Sequence, residues 1–446
     1  MQITLPSSRA ELRAQGKAAR AQTPRRLLAE VGGGERDPLG ILARQHESRD
    51  PELVPLRTER MAQSPFAFFR GTAALMAADL ATSPHSGILV GSSGDAHVAN
   101  FGFYASPQRR LVFDLNDFDE AAWAPWEWDV KRLVTSLIVG GTASGRSSGT
   151  LEEAARAAVG TYLKALREDT KLSPTQRYFL HFDIESSRAA LKGPGRRAVE
   201  DAVHQAQKRT GERAVRRLTE RDPDGRRRIV LRPPTTTAVT PEVGGMVESL
   251  LTSYRATLPH DLNLLLEHYV PVDIARRVVG VGSVGTRCYL GLLQDGNDNA
   301  LLLQPKQASP SVLVEHGGVE QPPALRDLVS ASGEGARVVA LQRILQALSD
   351  PFLGHVRSVE HDYYVRQFHD MKGGIDVTEL DDPGFVTYGR ACAAVLARAH
   401  SQSRPAPQII GYAGGGKAIT EAIVAWSHAY ADRSRADYDA FVAASA

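Results

Sequence analysis

The chain has 446 residues, of which 42% are hydrophobic and 23% are charged, and its formal net charge is +2. This length predicts two or three domains or lobes, and so small a net charge gives no chain-wide signal for binding a polyanion. The two cysteines, Cys288 and Cys392, are too far apart in sequence to suggest a disulfide framework or a cysteine metal site.

The sequence also bears on location. The N-terminus is rich in arginine and lacks the continuous apolar segment of a secretory signal, and no run approaches the ~18 apolar residues that a membrane-spanning helix needs. We therefore expect a cytoplasmic protein without a membrane partner.

In chain order, residues 1–62 predict a helical extension of short helices broken by proline and glycine. Ser64 followed by Pro65 is typical of a helix start, and the apolar sequence that follows predicts a buried helix. Arg70 stands out within it, either as a structural arginine or as a phosphate ligand.

Two polar segments flanked by apolar runs form the most informative part of the sequence. The first runs from Gly94 to Gly102 (Gly-Asp-Ala-His-Val-Ala-Asn-Phe-Gly), and the second runs from Phe113 to Asp119 (Phe-Asp-Leu-Asn-Asp-Phe-Asp). Acids beside apolar strands are costly to desolvate unless they bind a cation or hydrogen-bond donors. These segments predict a magnesium and phosphoryl-transfer site.

The segment after this site is rich in tryptophan. Trp123, Trp126 and Trp128 favour core packing over stacking on a ligand, although a place in the acceptor pocket stays open. Further along, the basic stretch from Lys208 to Arg232 lacks the interleaved aromatic residues that stack on bases. We interpret it as a solvated helix and loop, which makes nucleic acid an unlikely partner.

From Ile274 the hydrophobic period changes to two, which predicts a hairpin with a glycine-rich turn followed by a third strand from Ala300 to Lys306. Pro305 lacks a backbone N–H, so we expect that third strand to be an edge strand or a bulged one. A further strand is predicted from Asp362 to Gln367, and helices follow to the C-terminus.

The turn contains Gly280-x-Gly282-Ser283-x-Gly285. A strand rather than a helix follows it, which argues against a dinucleotide-binding turn. The context instead favours a loop whose backbone amides cover phosphates, with Lys306 on the third strand reaching them. The alternative is an ordinary hairpin with an exposed lysine.

Asp95 and Asn100 have the five-residue spacing of the Asp and Asn in a protein-kinase catalytic loop. In those roles Asp95 accepts the proton of the attacking hydroxyl and Asn100 binds Mg²⁺. Asp117 corresponds to the metal-binding acid of an Asp-Phe-Gly segment, and Asp114 is the alternative ligand. Hard oxygen ligands of this kind suit Mg²⁺.

His97 has two interpretations. It either braces the loop by hydrogen bonds or belongs with Asp95 to the metal site of a hydrolase. We favour the first, because the sequence around it lacks the dense His and Asp cluster that such a site needs.

The segments Gly94–Gly102, Phe113–Asp119, Pro125–Asp129 and Tyr364–Gln367 resemble a bacterial family known only as domain-of-unknown-function family 2252. The likeness extends from about Arg36 to the C-terminus and implies no established activity. The short motifs around Asp95 also resemble those of HipA-type and aminoglycoside-phosphotransferase-type kinases.

The kinase resemblance implies an α+β, two-lobed, protein-kinase-like fold that binds ATP and Mg²⁺. Because Asp95 precedes Gly280, the reverse of the usual order, this fold would be circularly permuted. The Lys306 partner is predicted as Glu315, with Glu334 as a rival. The expected division of the chain is an N-terminal extension (1–62), a helical lobe with the catalytic and metal-binding loops (63–270), a glycine-loop sheet lobe (271–375) and C-terminal helices on the helical lobe (376–446).

The sequence thus predicts a kinase-like phosphotransferase with Asp95, His97 and Lys306 as catalytic residues. The predicted nucleotide-binding set is Gly280, Gly282, Ser283, Gly285, Lys306 and Arg70, and the predicted metal ligands are Asn100, Asp117 and Asp114. The acceptor, a small molecule or a protein, stays unidentified. Two alternatives are a catalytically silent nucleotide-binding regulator of the same fold and a metal-dependent hydrolase.

Overall fold

The computed structural model describes residues 5–182, 194–278, 284–368 and 373–445. Predicted loop residues Gly280, Gly282 and Ser283 lie outside the described residues. In the described chain the first helices are α1 (Arg9–Ala18), α2 (Pro38–Glu47), α3 (Val54–Ala62), α4 (Pro65–Gly71), α5 (Ala73–Ala81), α6 (Trp126–Ala143), α7 (Ser148–Asp169) and α8 (Pro174–Tyr178).

The later helices are α9 (Pro194–Gln207), α10 (Gly211–Leu218), α11 (Pro241–Gly245), α12 (Val247–Arg255), α13 (His260–Leu266), α14 (Val312–Glu315), α15 (Pro323–Leu345), α16 (Asp382–Ser401), α17 (Ala406–Ala413) and α18 (Lys417–Ser445). The strands are β1 (Leu89–Ser92), β2 (Phe101–Ala105), β3 (Leu111–Leu115), β4 (Ala122–Pro125), β5 (Thr219–Arg221), β6 (Arg227–Ile229), β7 (Thr236–Ala238), β8 (Val270–Arg277), β9 (Tyr289–Gln294), β10 (Ala300–Ala308), β11 (Gly354–Arg357), β12 (Asp362–Gln367) and β13 (Gly373–Gly374). The protein is therefore a mixed α+β structure, as the sequence predicts. Among the described residues, no helix is long and apolar enough to cross a membrane.

The helix predicted after Ser64 begins where expected. The Ser64 hydroxyl accepts a hydrogen bond from the Ala67 amide at 3.1 Å, and Pro65 occupies the first turn, where its missing N–H costs nothing. The helix then breaks at Thr72, so one predicted helix becomes α4 and α5. Arg70 thereby lies in the last turn of α4.

The largest sheet has six antiparallel strands in the order β11-β12-β10-β9-β8-β7. Its centre is the predicted hairpin β8–β9 followed by β10, in which alternate apolar residues face helices on either side of the sheet. The prediction of an edge or bulged third strand is wrong, because β10 lies between β9 and β12. On one side of β10, Pro305 pairs with Val365 of β12. On the other side, the pairing with β9 stops after Leu303, and a bridge between Lys306 and Cys288 continues it in the same register. The missing N–H is thus accommodated within a central strand.

Helix α6 is the scaffold of the helical part. Its residues from Trp126 to Gly141 are buried, including four charged ones. A helix that is buried all round is packed on every side, and α6 contacts α4, α7, α16 and α18. The C-terminal helices thus pack against helices from the first 170 residues, as expected for the segment around His400. The Tyr162 hydroxyl on α7 and the His400 Nδ1 on α16 are 2.7 Å apart.

Candidate functional site

The loop that carries Asp95 is held by an acid of α6. The Asp129 carboxylate accepts hydrogen bonds from the amides of Ser93 (2.8 Å) and Gly94 (3.1 Å), and it lies 3.2 Å from His400 Nε2. Gly94 has a φ of +78°, and a Cβ there would lie 2.1 Å from the Glu120 carbonyl oxygen. The loop therefore requires glycine at this point and approaches the segment that contains Glu120 closely.

The carboxylate of Asp95 is fixed by a second residue of α6. Oδ1 of Asp95 accepts a hydrogen bond from Arg132 Nε at 2.8 Å, and the same oxygen is 2.7 Å from Arg132 Nη2. The guanidinium is itself buried, 4.1 Å from the Phe69 ring centroid. Burial raises the pKa of Asp95, and Arg132 opposes this increase. Asp95 is thus a partly desolvated carboxylate in one fixed orientation.

Asn100 and His97 lie on either side of Asp95. The Asn100 Nδ2 donates to the Asp95 carbonyl oxygen at 2.8 Å, which commits the amide nitrogen and leaves the amide oxygen for another ligand. The His97 Nε2 is 3.6 Å from Asp95 Oδ2, and its buried Nδ1 has no hydrogen-bond partner among the described residues. Burial, reinforced by Arg132 and Arg70, lowers the pKa of His97 well below its usual value, so the ring is neutral.

Lys306 lies against the second acidic segment. Its Nζ forms an ion pair with Asp119 and is 3.8 Å from Asp117 Oδ1, although 187 residues separate Lys306 from Asp119. The lysine side chain is 3% exposed. Burial alone would lower the pKa of the ammonium, but Asp117 and Asp119 outweigh it and raise the pKa well above its usual value. Lys306 is therefore charged and joins β10 to the acids that follow β3.

The sheet face that carries Lys306 holds a second cation. Register pairs Lys306 with Tyr364 and Gln304 with Arg366 across β10 and β12. Arg366 donates from Nε to the Gln304 side chain at 3.1 Å and lies 5.7 Å from the centroid of the Tyr364 ring. Asp117 and Asp119 also act electrostatically on Arg366. Two cations of the sheet thus face the same acid pair.

A pocket of about 130 Å³ opens in front of these acids. Its lining comes from the N-terminal segment 45–73, from the two acidic loops within 93–120, and from Thr286. The lining residues are Gln45, Arg49, Arg70, Gly71, Ala73, Ser93, Asp95, His97, Asn100, Asp117, Asp119, Glu120 and Thr286. The pocket therefore brings Arg70, Asp95, His97, Asn100 and Asp117 together, with Lys306 behind the acids.

Asp114, the alternative metal ligand, faces elsewhere. It is buried, and its carboxylate accepts hydrogen bonds from the amides of Leu115 and Ala347, each at 2.8 Å. Burial raises the pKa of Asp114 to about 6. The three tryptophans of 123–128 do not line the pocket either; Trp126 stacks on Tyr162 within the core.

The partner predicted for Lys306 is wrong. Glu334 pairs with Arg337, and Glu315 lies near His316, whereas Lys306 pairs with Asp119. The ion-pair partner of Lys306 is thus an acid from the loop after β3, whereas we predicted a glutamate from the segment after β10.

At the end of the glycine-rich segment, Gly285 has a φ of +89°, and a Cβ there would lie 2.9 Å from that of Arg49. Its carbonyl oxygen accepts a hydrogen bond from the Asp50 amide at 2.9 Å, and Asp50 forms an ion pair with Arg276 on β8. Arg49 Nη1 donates to the Val284 carbonyl oxygen at 2.5 Å. The N-terminal segment that we interpreted as an extension is therefore bonded to this loop and contributes to the pocket.

Sequence reasoning missed Arg49, Glu120 and Arg132. A signal existed for Arg132, because the pair Lys131-Arg132 interrupts an apolar helix and charged residues in such places are paired or functional. Arg49 offered none, since its approach to the pocket depends on tertiary packing.

In the part of the chain that the structure describes, the pocket offers two oxygen ligands for a magnesium ion that is bound together with a nucleotide, but not the cluster of three protein ligands that is typical of a dedicated metal site. Asp117 and the free oxygen of Asn100 are suitable hard ligands that line the same pocket. Within the described ranges, no three His, Cys, Asp or Glu residues form a group that could hold a metal ion. A magnesium ion here would therefore need further oxygen ligands from phosphates and water.

The fold is thus a mixed α+β structure whose site combines a fixed acid loop with a buried sheet lysine. The chain belongs to the family described as an uncharacterized protein conserved in bacteria (DUF2252), whose model matches residues 49–444. This confirms the family predicted from the motifs. No curated protein and no solved structure matches the chain, so its function has to be inferred from the site itself.

Proposed function

We propose that this protein is a phosphotransferase that moves the terminal phosphoryl group of ATP to an acceptor with the help of Mg²⁺. The observation that carries the proposal is the approach of Lys306 on β10 to Asp117 and Asp119 after β3. A lysine on a sheet opposite a metal-binding acid is the arrangement by which kinases hold a nucleotide's phosphates.

Each residue has a distinct role in this proposal. Asp95 orients the acceptor hydroxyl and takes its proton, because it is fixed by Arg132 and partly desolvated. Asn100 and Asp117 are the protein ligands of Mg²⁺, which would neutralise charge on the phosphates. Lys306, Gly285 and the glycine segment before it would hold the phosphates, and His97 would brace the loop as a neutral ring.

The proposed fold is a two-lobed, protein-kinase-like one in circularly permuted order. Support comes from the sheet β7–β12, which follows the acid loop in sequence yet lies against it, and from the packing of α16 on α7 and α6. In this arrangement the helices after residue 376 complete the part of the protein that carries Asp95.

A silent nucleotide-binding regulator of the same fold is the second candidate. The observation that favours it is the double contact of Arg132 with Asp95 Oδ1, because a carboxylate held by a buried guanidinium is a weaker base. Such a regulator would bind nucleotide without transferring phosphate.

Thermal unfolding with ATP and Mg²⁺, added separately and together, tests the proposal. Saturation at 100 times the dissociation constant should stabilise the protein by about 2.7 kcal/mol. Asp117→Ala and Lys306→Ala should remove the joint effect, while Asp432→Ala and Lys164→Ala, at exposed positions, should retain it. An ATP-dependent shift that both site variants retain would refute the proposal.

Transfer of label from the terminal phosphate of ATP in an acceptor screen separates the two candidates. The enzyme predicts transfer or release of phosphate that Asp95→Asn abolishes. The regulator predicts the stability shift alone. Activity that a metal restores without nucleotide would instead support a hydrolase.

A further inference from the structure

Two arginines line the pocket together with its acids, and we call them its cationic wall. Arg49 follows α2, and Arg70 lies in the last turn of α4; Gln45 of α2 adds an amide between these elements. The acids come from the two loops that contain Asp95 and Glu120. The pocket lining therefore combines carboxylates from two loops with two guanidinium groups from the N-terminal segment.

Arg70 is the informative member of this wall. Its guanidinium makes no hydrogen bond or ion pair with any residue that the structure describes, and its Nε is buried. Burial lowers the pKa of Arg70, whereas Asp95, Asp376 and Asp117 oppose that change from a distance. A buried guanidinium N–H is normally paired. A partly buried arginine whose buried Nε has no partner among the described residues, and which lines a pocket, points to an anion as its ligand.

Arg49 completes the same subsite. One end of its guanidinium is held by the Val284 carbonyl oxygen, and its Nε is buried without a partner. Glu120 and Asp119 act on it through space. Arg49 is thus held in place by Val284 of the glycine turn, and its Nε is available to a ligand.

The position of the subsite separates it from the phosphate contacts of Lys306. Arg70 and Asp95 both line the pocket, whereas Lys306 is not among its lining residues and pairs with Asp119 behind them. Asp95 is the residue that the proposed function places beside the acceptor hydroxyl. An anion held by Arg70 would therefore belong to the acceptor side.

We infer that Arg70 and Arg49 form an anion subsite for the acceptor, and that the acceptor is a hydroxyl compound bearing a carboxylate or phosphate group. The assignment to an acceptor rests on the proposed function, but the anion subsite does not. Forked guanidinium donors suit both oxyanions and give charge-assisted hydrogen bonds.

Inorganic phosphate is the probe for this subsite, measured by the midpoint of thermal unfolding of the full chain. Phosphate should stabilise the wild-type protein both alone and with a saturating, non-hydrolysable ATP analogue and Mg²⁺. Arg70→Gln and Arg49→Gln should each weaken phosphate binding at least about tenfold. Arg44→Gln, at an exposed position on α2, is the matched control and should bind phosphate normally.

Loss of the phosphate effect in the presence of the nucleotide analogue would overturn the inference, because Arg70 would then hold nucleotide phosphates. Absence of any phosphate effect, or an effect unchanged in Arg70→Gln, would also overturn it. A normal, Arg70-dependent phosphate effect with no response to the nucleotide analogue would uphold the anion subsite and refute the proposed function. Far-ultraviolet circular dichroism checks that each variant folds.

Discussion

At the scale of single residues, buried charges surround the pocket, and each has a physical explanation. Lys306 is paired with Asp119, and Asp95 is held by Arg132. Glu120 is different, because its carboxylate accepts a hydrogen bond from the Val312 amide at 2.8 Å, and the attraction of Arg337 is opposed by the charges of Asp119 and Asp95. Glu120 is therefore an acid whose charged form is disfavoured in the folded protein.

The first prediction concerns the pH dependence of stability. Burial raises the pKa of Glu120 from 4.5 to about 7, so between these values the folded protein keeps a proton that the unfolded chain has released. The contribution of Glu120 to the free energy of unfolding therefore falls as pH rises from about 4.5 to about 7. Glu120→Gln should remove this loss. Relative to the wild type, the variant should gain about 3 kcal/mol of unfolding free energy on going from pH 4 to pH 8.

Urea unfolding at a series of pH values measures this difference. Glu320→Gln, at a residue whose side chain is 83% exposed, controls for the loss of one carboxylate. Parallel stability curves for the wild type and Glu120→Gln would show that the Glu120 pKa is not raised.

At the scale of secondary-structure elements, α6 organises the site. Three of its charged residues hold loops: Glu127 accepts a hydrogen bond from the Ser86 hydroxyl at 2.9 Å, Asp129 holds Ser93 and Gly94, and Arg132 holds Asp95. The fourth, Lys131, is buried, and its Nζ has no hydrogen-bond partner in the described chain. The nitrogen lies 4.5 Å from the Trp426 ring centroid.

The second prediction follows from Lys131. Burial lowers the pKa of the Lys131 amine from 10.5 to about 7, and Glu127 opposes this change. Between these pH values the unfolded chain therefore keeps a proton that the folded protein has released. Lys131→Met should raise the free energy of unfolding by about 1–2 kcal/mol at pH 7, because an apolar chain of similar size replaces an unbonded amine. This advantage should shrink as pH rises from about 7 toward 10.5.

Denaturant unfolding of Lys131→Met beside Lys164→Met, at an exposed position of α7, measures the effect. A clear loss of stability specific to Lys131→Met would mean that the amine is charged and stabilises Glu127 through space.

The elements themselves were predictable where local rules decide them. Period-two patterns predicted β8, β9, β10 and β12, and Ser64 with Pro65 predicted the start of α4. The central position of β10 was not predictable from Pro305, because strand order depends on which strands bury their faces together. The break at Thr72 directly follows Gly71, a weak helix former, but one glycine in an otherwise apolar helical pattern did not decide between one helix and two.

At the scale of the whole molecule, the site joins three distant parts of the chain. Residues 45–73 supply the arginines, residues 93–120 supply the acids, and β10 supplies the lysine. The sequence predicted the second and third parts, because spacing such as that of Asp95 and Asn100 is local. Of the first part it singled out Arg70 but not Arg49, because Arg49 reaches the pocket only through the contacts of its segment with Val284 and Gly285.

The central claim is that a magnesium nucleotide binds in the pocket at Asp117, beside Lys306. Calorimetric titration with the magnesium complex of a non-hydrolysable ATP analogue tests this claim most directly. Asp117→Asn keeps the shape of a residue that is 35% exposed, so the variant should fold. We predict that the wild-type protein binds the complex and that Asp117→Asn binds it at least about tenfold more weakly, as expected for loss of a charged ligand. Equal affinity of the two proteins, or no binding by the wild type, would contradict the claim.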